Sequence, residues 1–369
     1  MSTVQYDLEW LLQNAGSIIR YRTITELVKE SDENKIKPLR NRLLSDGLVQ
    51  FWLDHLVPNF DKNVMHSGKS EAFENAMGKL YEFGLRKGFR AFDEKTRPFH
   101  RWLEQQIRLP TEGYYSPFSV FYRTIAAAFL AMTGYSNDEA VKTWILRRLD
   151  TVYSFVKEGD FEVYIPHDSF SSFPKVYRRY PLLSPDLYPD GEMKLPWIHD
   201  VNAFLQSSFM KEDNQLARKV ETIVSFILSP DYQKLHPDYG VIRSESGRYY
   251  VMGWSIHLPA YFESNVPAKD FGHFLLLLNM LSRSKTARKH YWFKRSLSRI
   301  QGFRTPSGLF VFPRNFLREE KFGYWIAGLR MALEANRKTE KAIVCESTFR
   351  AFEILARIYE TNKNKQFCL

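Results

Sequence analysis

The chain has 369 residues, 44% of them hydrophobic and 15% aromatic, so a large core is within reach, and 29 Phe, 20 Tyr and 8 Trp are enough to wall a cavity as well. Two cysteines, Cys345 and Cys368, exclude a disulfide framework and a Cys-x-x-Cys zinc or redox pair, which fits a reducing compartment. The net charge of +10 would suit an anionic partner if gathered on one face, but the basic clusters Arg147-Arg148, Lys175 to Arg179 and Arg283 to Lys294 are spread along the chain as solvated helix faces would be.

The first ten residues lack the basic start and apolar run of a signal peptide, and no apolar run nears the ~20 residues that cross a bilayer. A soluble, cytoplasmic protein is expected. Residues 6–14 and 22–30 read as a helical hairpin broken at Gly16 and Ser17, and Lys35 to Leu56 as a helical run that Gly47 interrupts. A helix-turn-helix can be drawn there, but its second helix lacks a basic, base-reading face. Phe73, Ala76, Met77, Leu80, Tyr81 and Gly84 then repeat at helical spacing as a core stripe. His66 precedes that helix and Glu74 lies in its first turn, a secondary candidate pair that also suits a helix cap.

Helices are expected over 96–107, 116–133 and 136–157, the last with Arg147 and Arg148 near its end, where the dipole favours them. From 159 to 196 helical periodicity stops in a Pro-, Tyr- and Ser-rich stretch, a long irregular insertion of the kind that forms lids, with His167 and Asp168 inside it. Helices resume over 197–209 and 212–228. Trp254 and His257, bounded by Gly253 and Pro259, suit a cavity rim, although a loop histidine can also be merely exposed. The last helices are expected over 270–282, 286–300, 319–335 and 340–360. About a dozen helices and no convincing alternation of strands make the class all-α, as one domain over 1–369. A glycine followed closely by an aromatic recurs at Gly88-Phe89, Gly113-Tyr114 and Gly253-Trp254, among others, as degenerate helical hairpins would produce.

The stretch Leu195-Pro-Trp-Ile-His-Asp-Val-Asn-Ala-Phe204 is the leading candidate site, because reactive polar groups interrupt a run that otherwise reads as core. Trp197, Ile198, Val201 and Phe204 follow helical spacing, His199 and Asn202 share a face with Gln206, and Asp200 stands at the first turn. The same His-Asp pair also suits a helix cap.

Gln301-Gly-Phe-Arg-Thr-Pro-Ser-Gly-Leu-Phe310 resembles the glutamine, glycine and aromatic repeat of the α/α-toroid superfamily of squalene cyclases and protein prenyltransferase β subunits. Glu346-Ser-Thr-Phe-Arg-Ala-Phe-Glu-Ile-Leu355 resembles the inner helix that follows it there. The resemblance implies an α/α toroid, a barrel of about six helical hairpins with long irregular loops. It does not carry the chemistry: the Asp-x-Asp-Asp motif of the cyclases is missing, and neither cysteine has the surroundings of the prenyltransferase zinc ligand.

Gly-x-Gly-x-x-Gly, phosphate-loop, His-Glu-x-x-His and Gly-x-Ser-x-Gly motifs are all absent, the nine histidines show no metal spacing, and no cofactor is implied. The expected function is acid-base chemistry on a small apolar, isoprenoid-like or carbohydrate molecule in an aromatic cavity, with Asp200 as base or acceptor and His199 or His257 as its partner. Trp197, Asn202 and Trp254 would bind the ligand. A glycosidic reaction needs facing carboxylates, which Asp168 with Asp200, or Glu74 with Asp200, would supply. The alternative is a non-catalytic protein whose basic surface holds an acidic partner or nucleic acid.

Overall fold

Helix ends in this chain are set by short side chains that take the first free backbone N–H groups. The computed structural model describes residues 3–60, 62–109, 117–170 and 173–360; Ser116, Gly113-Tyr114 and Cys368 lie outside them. The N-terminal part holds α1 (Thr3–Asn14), α2 (Ser17–Arg22), α3 (Glu33–Leu44), α4 (Gly47–His55), α5 (Lys62–Met65) and α6 (Phe73–Glu82), with a π turn at Thr23–Leu27 closing α2. The expected run from 35 to 56 is thus two helices. The Asp46 carboxylate accepts from Leu48 N at 2.9 Å and restarts the chain at Gly47.

Then come α7 (Arg90–Ile107), α8 (Pro117–Leu130), α9 (Glu139–Glu158), α10 (Ile198–Gln206), α11 (Ser208–Glu212), α12 (Asn214–Ile227) and α13 (Pro230–Gln233). The chain ends with α14 (Phe271–Leu281), α15 (Lys285–Lys289), α16 (Tyr291–Gln301) and α17 (Glu340–Glu360). The structure is 60% helix and 4% strand, which makes it a mostly helical protein. No helix among the described residues is long and apolar enough to cross a membrane.

Two expectations are corrected. The helix over 319–335 does not form: Glu320 N bonds Leu329 O at 2.8 Å and Met331 N bonds Arg318 O at 3.0 Å, a hairpin-like return closed by one 3-10 turn at Trp325–Ala327. Gly323 and Gly328, at φ +148° and +71°, allow that path, and buried Trp325, Ile326 and Met331 mimic the apolar count of a helix. A small sheet also exists where none was expected, in the order β1 (Tyr164–Ile165), β2 (Leu182–Leu183), β3 (Val241–Arg243), β4 (Tyr249–Val251). These strands are too short to show alternation. They pin part of the 159–196 segment, because Leu182, Val241 and Tyr249 form a core on which Phe170, Phe173, Tyr177 and Tyr180 pack.

Packing groups the residues into two compact units, Met1–Lys95 with Pro259–Leu369, and Thr96–Leu258. In the first, α4 packs on α6, while α1, α2 and α14 pack on α17. In the second, α8 packs on α9 and α10, and α9 on α12. Helix α6 is buried over its whole length, polar side chains included. Close backbone contact in the first unit needs glycine: a Cβ on Gly272 would stand 2.2 Å from Gly328 O. Gly272→Ala is expected to cost about 2–4 kcal/mol in urea unfolding, since backbone cannot yield as a side chain can. Gly47→Ala, with nothing within 4 Å of its Cβ, should change stability by less than about 1 kcal/mol.

Candidate functional site

Helix α10 starts with Trp197 as its N-cap residue, and Asp200, three positions on, accepts from Trp197 N at 3.0 Å. The same carboxylate takes Arg148 Nε at 3.0 Å and Nη2 at 2.9 Å, with both side chains buried. Arg148 Nη1 donates to Met193 O at 2.8 Å, and the guanidinium lies 4.8 Å above the Trp197 ring. Burial pulls the Arg148 pKa down, but the charge and hydrogen bonds of Asp200 more than offset it and leave it raised. Asp200 therefore spends both oxygens on a structural clamp.

The other expected residues of this unit surround the clamp or lie apart from it. His199 is buried edge-on to Phe121 and Phe129, with centroids at 5.5 and 6.2 Å. Asn202 donates to Ile198 O at 3.3 Å and accepts from Gln206 at 3.2 Å, within one helix face. Trp254 stacks on Phe121 at 3.6 Å and receives Ile198 N on its carbonyl at 3.0 Å; its φ of +63° is a strained value for a bulky residue. His257 has one ring nitrogen 2.8 Å from Ser255 Oγ and the other 2.8 Å from Leu235 O. Asp168 is exposed on the 3-10 turn His167–Ser169. The residues the sequence reading missed are Phe121, which touches Trp197, His199 and Trp254, and Arg148. Arg148 is mid-helix and not near an end, on the buried stripe of Trp144, Ile145, Leu149 and Val152. A charge in a core stripe was its signal.

In the first unit the structure does join two expected residues. His66 Nδ1 makes a short hydrogen bond to Glu74 Oε2, with Glu74 fully buried and the His66 side chain 13% exposed. The Tyr324 ring stacks on the imidazole at 4.5 Å, and burial, then the charge of Glu74, raises its phenol pKa. Asn75 fixes the loops that present both rings: its Nδ2 donates to Ser67 O at 3.0 Å, Lys69 O at 2.7 Å and Gly323 O at 3.0 Å, and its Oδ1 accepts from Trp325 N at 2.7 Å. Arg330 ties the same loops through Gly68 O at 3.0 Å and Gly323 O at 3.1 Å. A buried carboxylate behind a partly open imidazole fixes the ring and stabilises its protonated form, the arrangement a proton-transfer histidine needs. Glu74 lies in one unit and Asp200 in the other.

Charges continue along α6 and α17. On α17, Glu346, Arg350, Glu353 and Arg357 follow helical spacing and form a polar stripe in an otherwise apolar setting. Glu346 accepts from Leu333 N and Glu334 N, both at 2.7 Å, and from Arg337 Nε at 2.9 Å. Nearby, Glu334 accepts from Gly16 N at 2.7 Å, and burial pushes its carboxyl from 4.5 up to about 7. Burial, with Glu334 beside it, raises the Cys345 thiol to about 12, so it is no nucleophile near neutral pH. Among the described residues no group of three His, Cys, Asp or Glu is placed to hold a metal ion. No protein-family model, curated protein or solved structure matches the chain.

Arg148→Met alone is expected to cost about 3–5 kcal/mol in chemical denaturation by stranding Asp200, and Asp200→Leu added to it should return most of that loss. Equal losses in the single and double variants would contradict the clamp. Glu334 titrates in the opposite sense to a paired carboxylate. Its raised folded-state pKa gives stability that is complete below pH 4.5 and is lost as pH rises through about 7. Glu334→Gln keeps an acceptor for Gly16 N, so its stability relative to the unsubstituted protein should grow between pH 4.5 and pH 8 in urea titrations.

Proposed function

We propose that the chain is an enzyme in which His66 transfers a proton to or from a small apolar, isoprenoid-like or carbohydrate substrate and Glu74 holds the imidazole in place. One observation carries this reading: a wholly buried Glu74 carboxylate is spent on an imidazole that is itself partly open and stacked on Tyr324. In this reading His66 takes the substrate proton, Glu74 balances the imidazolium that forms, and Tyr324 keeps the ring plane fixed. The acid-base chemistry expected from the sequence is retained. Its seat moves from Asp200, whose oxygens serve Arg148, to the dyad on α6.

The toroid of helical hairpins belongs to the same proposal, as does the superfamily resemblance. Its support is that helices adjacent in sequence pack as pairs, α1 with α2, α8 with α9 and α15 with α16. A cytoplasmic location is part of it too, resting on the two-cysteine composition.

Diethyl pyrocarbonate modification read by mass spectrometry tests the site directly. His66 should react in the folded protein and be shielded by a bound isoprenoid or oligosaccharide found by panel screening. Turnover of such a compound should fall by about 10²–10⁴ in His66→Gln, with Glu74→Gln intermediate. A His66 that resists the reagent, or turnover that survives His66→Gln, sinks the reading.

A further inference from the structure

The first unit contains a second polar centre that the dyad does not use. Arg22 pairs with Glu26 and Glu353, both at 2.7 Å, and approaches Glu82 at 3.8 Å. Arg350 pairs with Glu82 at 3.1 Å, Arg357 with Glu353 at 2.9 Å, and Arg86 reaches Glu26 at 3.9 Å. Arg283 joins the group beside Arg357 and Glu353 but has no ion pair. Among the described residues its one hydrogen bond runs from Nη2 to the Tyr81 hydroxyl at 3.2 Å, and its buried Nε has none. Five arginines therefore share three glutamates, leaving two positive charges uncompensated in a largely buried group. Burial, and then Arg357, lowers the Arg283 pKa, the mark of a cation without its counter-charge.

The uncompensated charges converge on one phenol. Arg86 lies over the Tyr81 ring face at 4.2 Å, while Arg283 meets the Tyr81 hydroxyl at the rim. Arg86 and Arg357 keep 29% and 19% of their side chains exposed, so the group opens to solvent on this side. We propose that Arg283, Arg86 and the Tyr81 hydroxyl form a binding site for a phosphate group, either the free ion or a monoester. Phosphate near neutral pH carries up to two charges and several acceptor oxygens, which matches both the deficit and the forked donors of arginine; a carboxylate supplies one charge only. The site is independent of the dyad. Tyr81 and Glu74 lie seven residues apart on α6, about 10 Å along its axis.

The test is calorimetric titration of the full chain with inorganic phosphate and with glycerol 2-phosphate at fixed ionic strength, alongside thermal unfolding. Saturable binding is expected, weakened tenfold or more by Arg283→Gln and by Arg86→Gln and unchanged by Arg299→Gln. Without phosphate, Arg283→Gln should unfold at a higher temperature than the unsubstituted protein, because an uncompensated charge is gone; a merely structural arginine would give a lower one. If Arg283→Gln does not fold, the proposal is overturned, and the partly exposed Arg86→Gln gives the independent check on phosphate affinity. Tighter binding of the ester identifies a phosphomonoester ligand and tighter binding of the ion identifies free phosphate, each in support. Phosphate affinity undiminished in Arg283→Gln, or an equal response to chloride, overturns the site.

Discussion

A helix buried on every side must find a partner for each polar side chain it carries, and α6 carries four of them, Glu74, Asn75, Lys79 and Glu82. The first unit is arranged around meeting that demand. Glu74 is met by His66, Asn75 by three carbonyls and an N–H, and Glu82 by Arg350. Lys79 donates to Ala332 O at 2.7 Å and approaches Arg330 O and Glu319. Most of these acceptors are main-chain groups of residues 319–332. A helix over that stretch would have consumed the same carbonyls internally, so the open path of the loop and the burial of α6 require each other. Gly78 completes the fit, since a Cβ there would stand 2.4 Å from the Trp325 ring.

The second unit solves the same problem with one pair. Arg148 enters the core from α9, Asp200 from the first turn of α10, and each leaves the other few unsatisfied atoms. Such a pair contributes little against an apolar replacement but is costly to break, so its value is in fixing how α9, the Met193 turn and α10 meet. Phe121 then gathers Trp197, His199 and Trp254 into one aromatic cluster beside it. Aromatic residues and a carboxylate that read as a ligand site are here the joint between helices.

Both units place charge inside, but to different effect. The clamp in the second unit is electrically closed. The arginine group in the first is open by two charges and reaches solvent, and the dyad beside it presents a histidine at a partly open position. Chemistry on this chain is therefore more readily placed in the first unit, where burial strengthens electrostatic interactions without consuming every polar group.

Local pattern by itself determined the mostly helical class, the core stripe on α6, the loss of helical periodicity after Gly159 and the pairing of His66 with Glu74, because each depends on residues within a few turns of one another. It also placed two outcomes for Asp200 side by side, reactive group or cap, since both use the same position at a helix start. Tertiary structure alone decided between them, by bringing Arg148 from 52 residues away. It likewise decided that 319–335 is a loop, that two- and three-residue strands pair across long sequence gaps, and that Arg283 meets Tyr81 across 202 residues. Periodicity reports which side of an element is buried, but not which distant side chain or carbonyl will satisfy a charge once it is there.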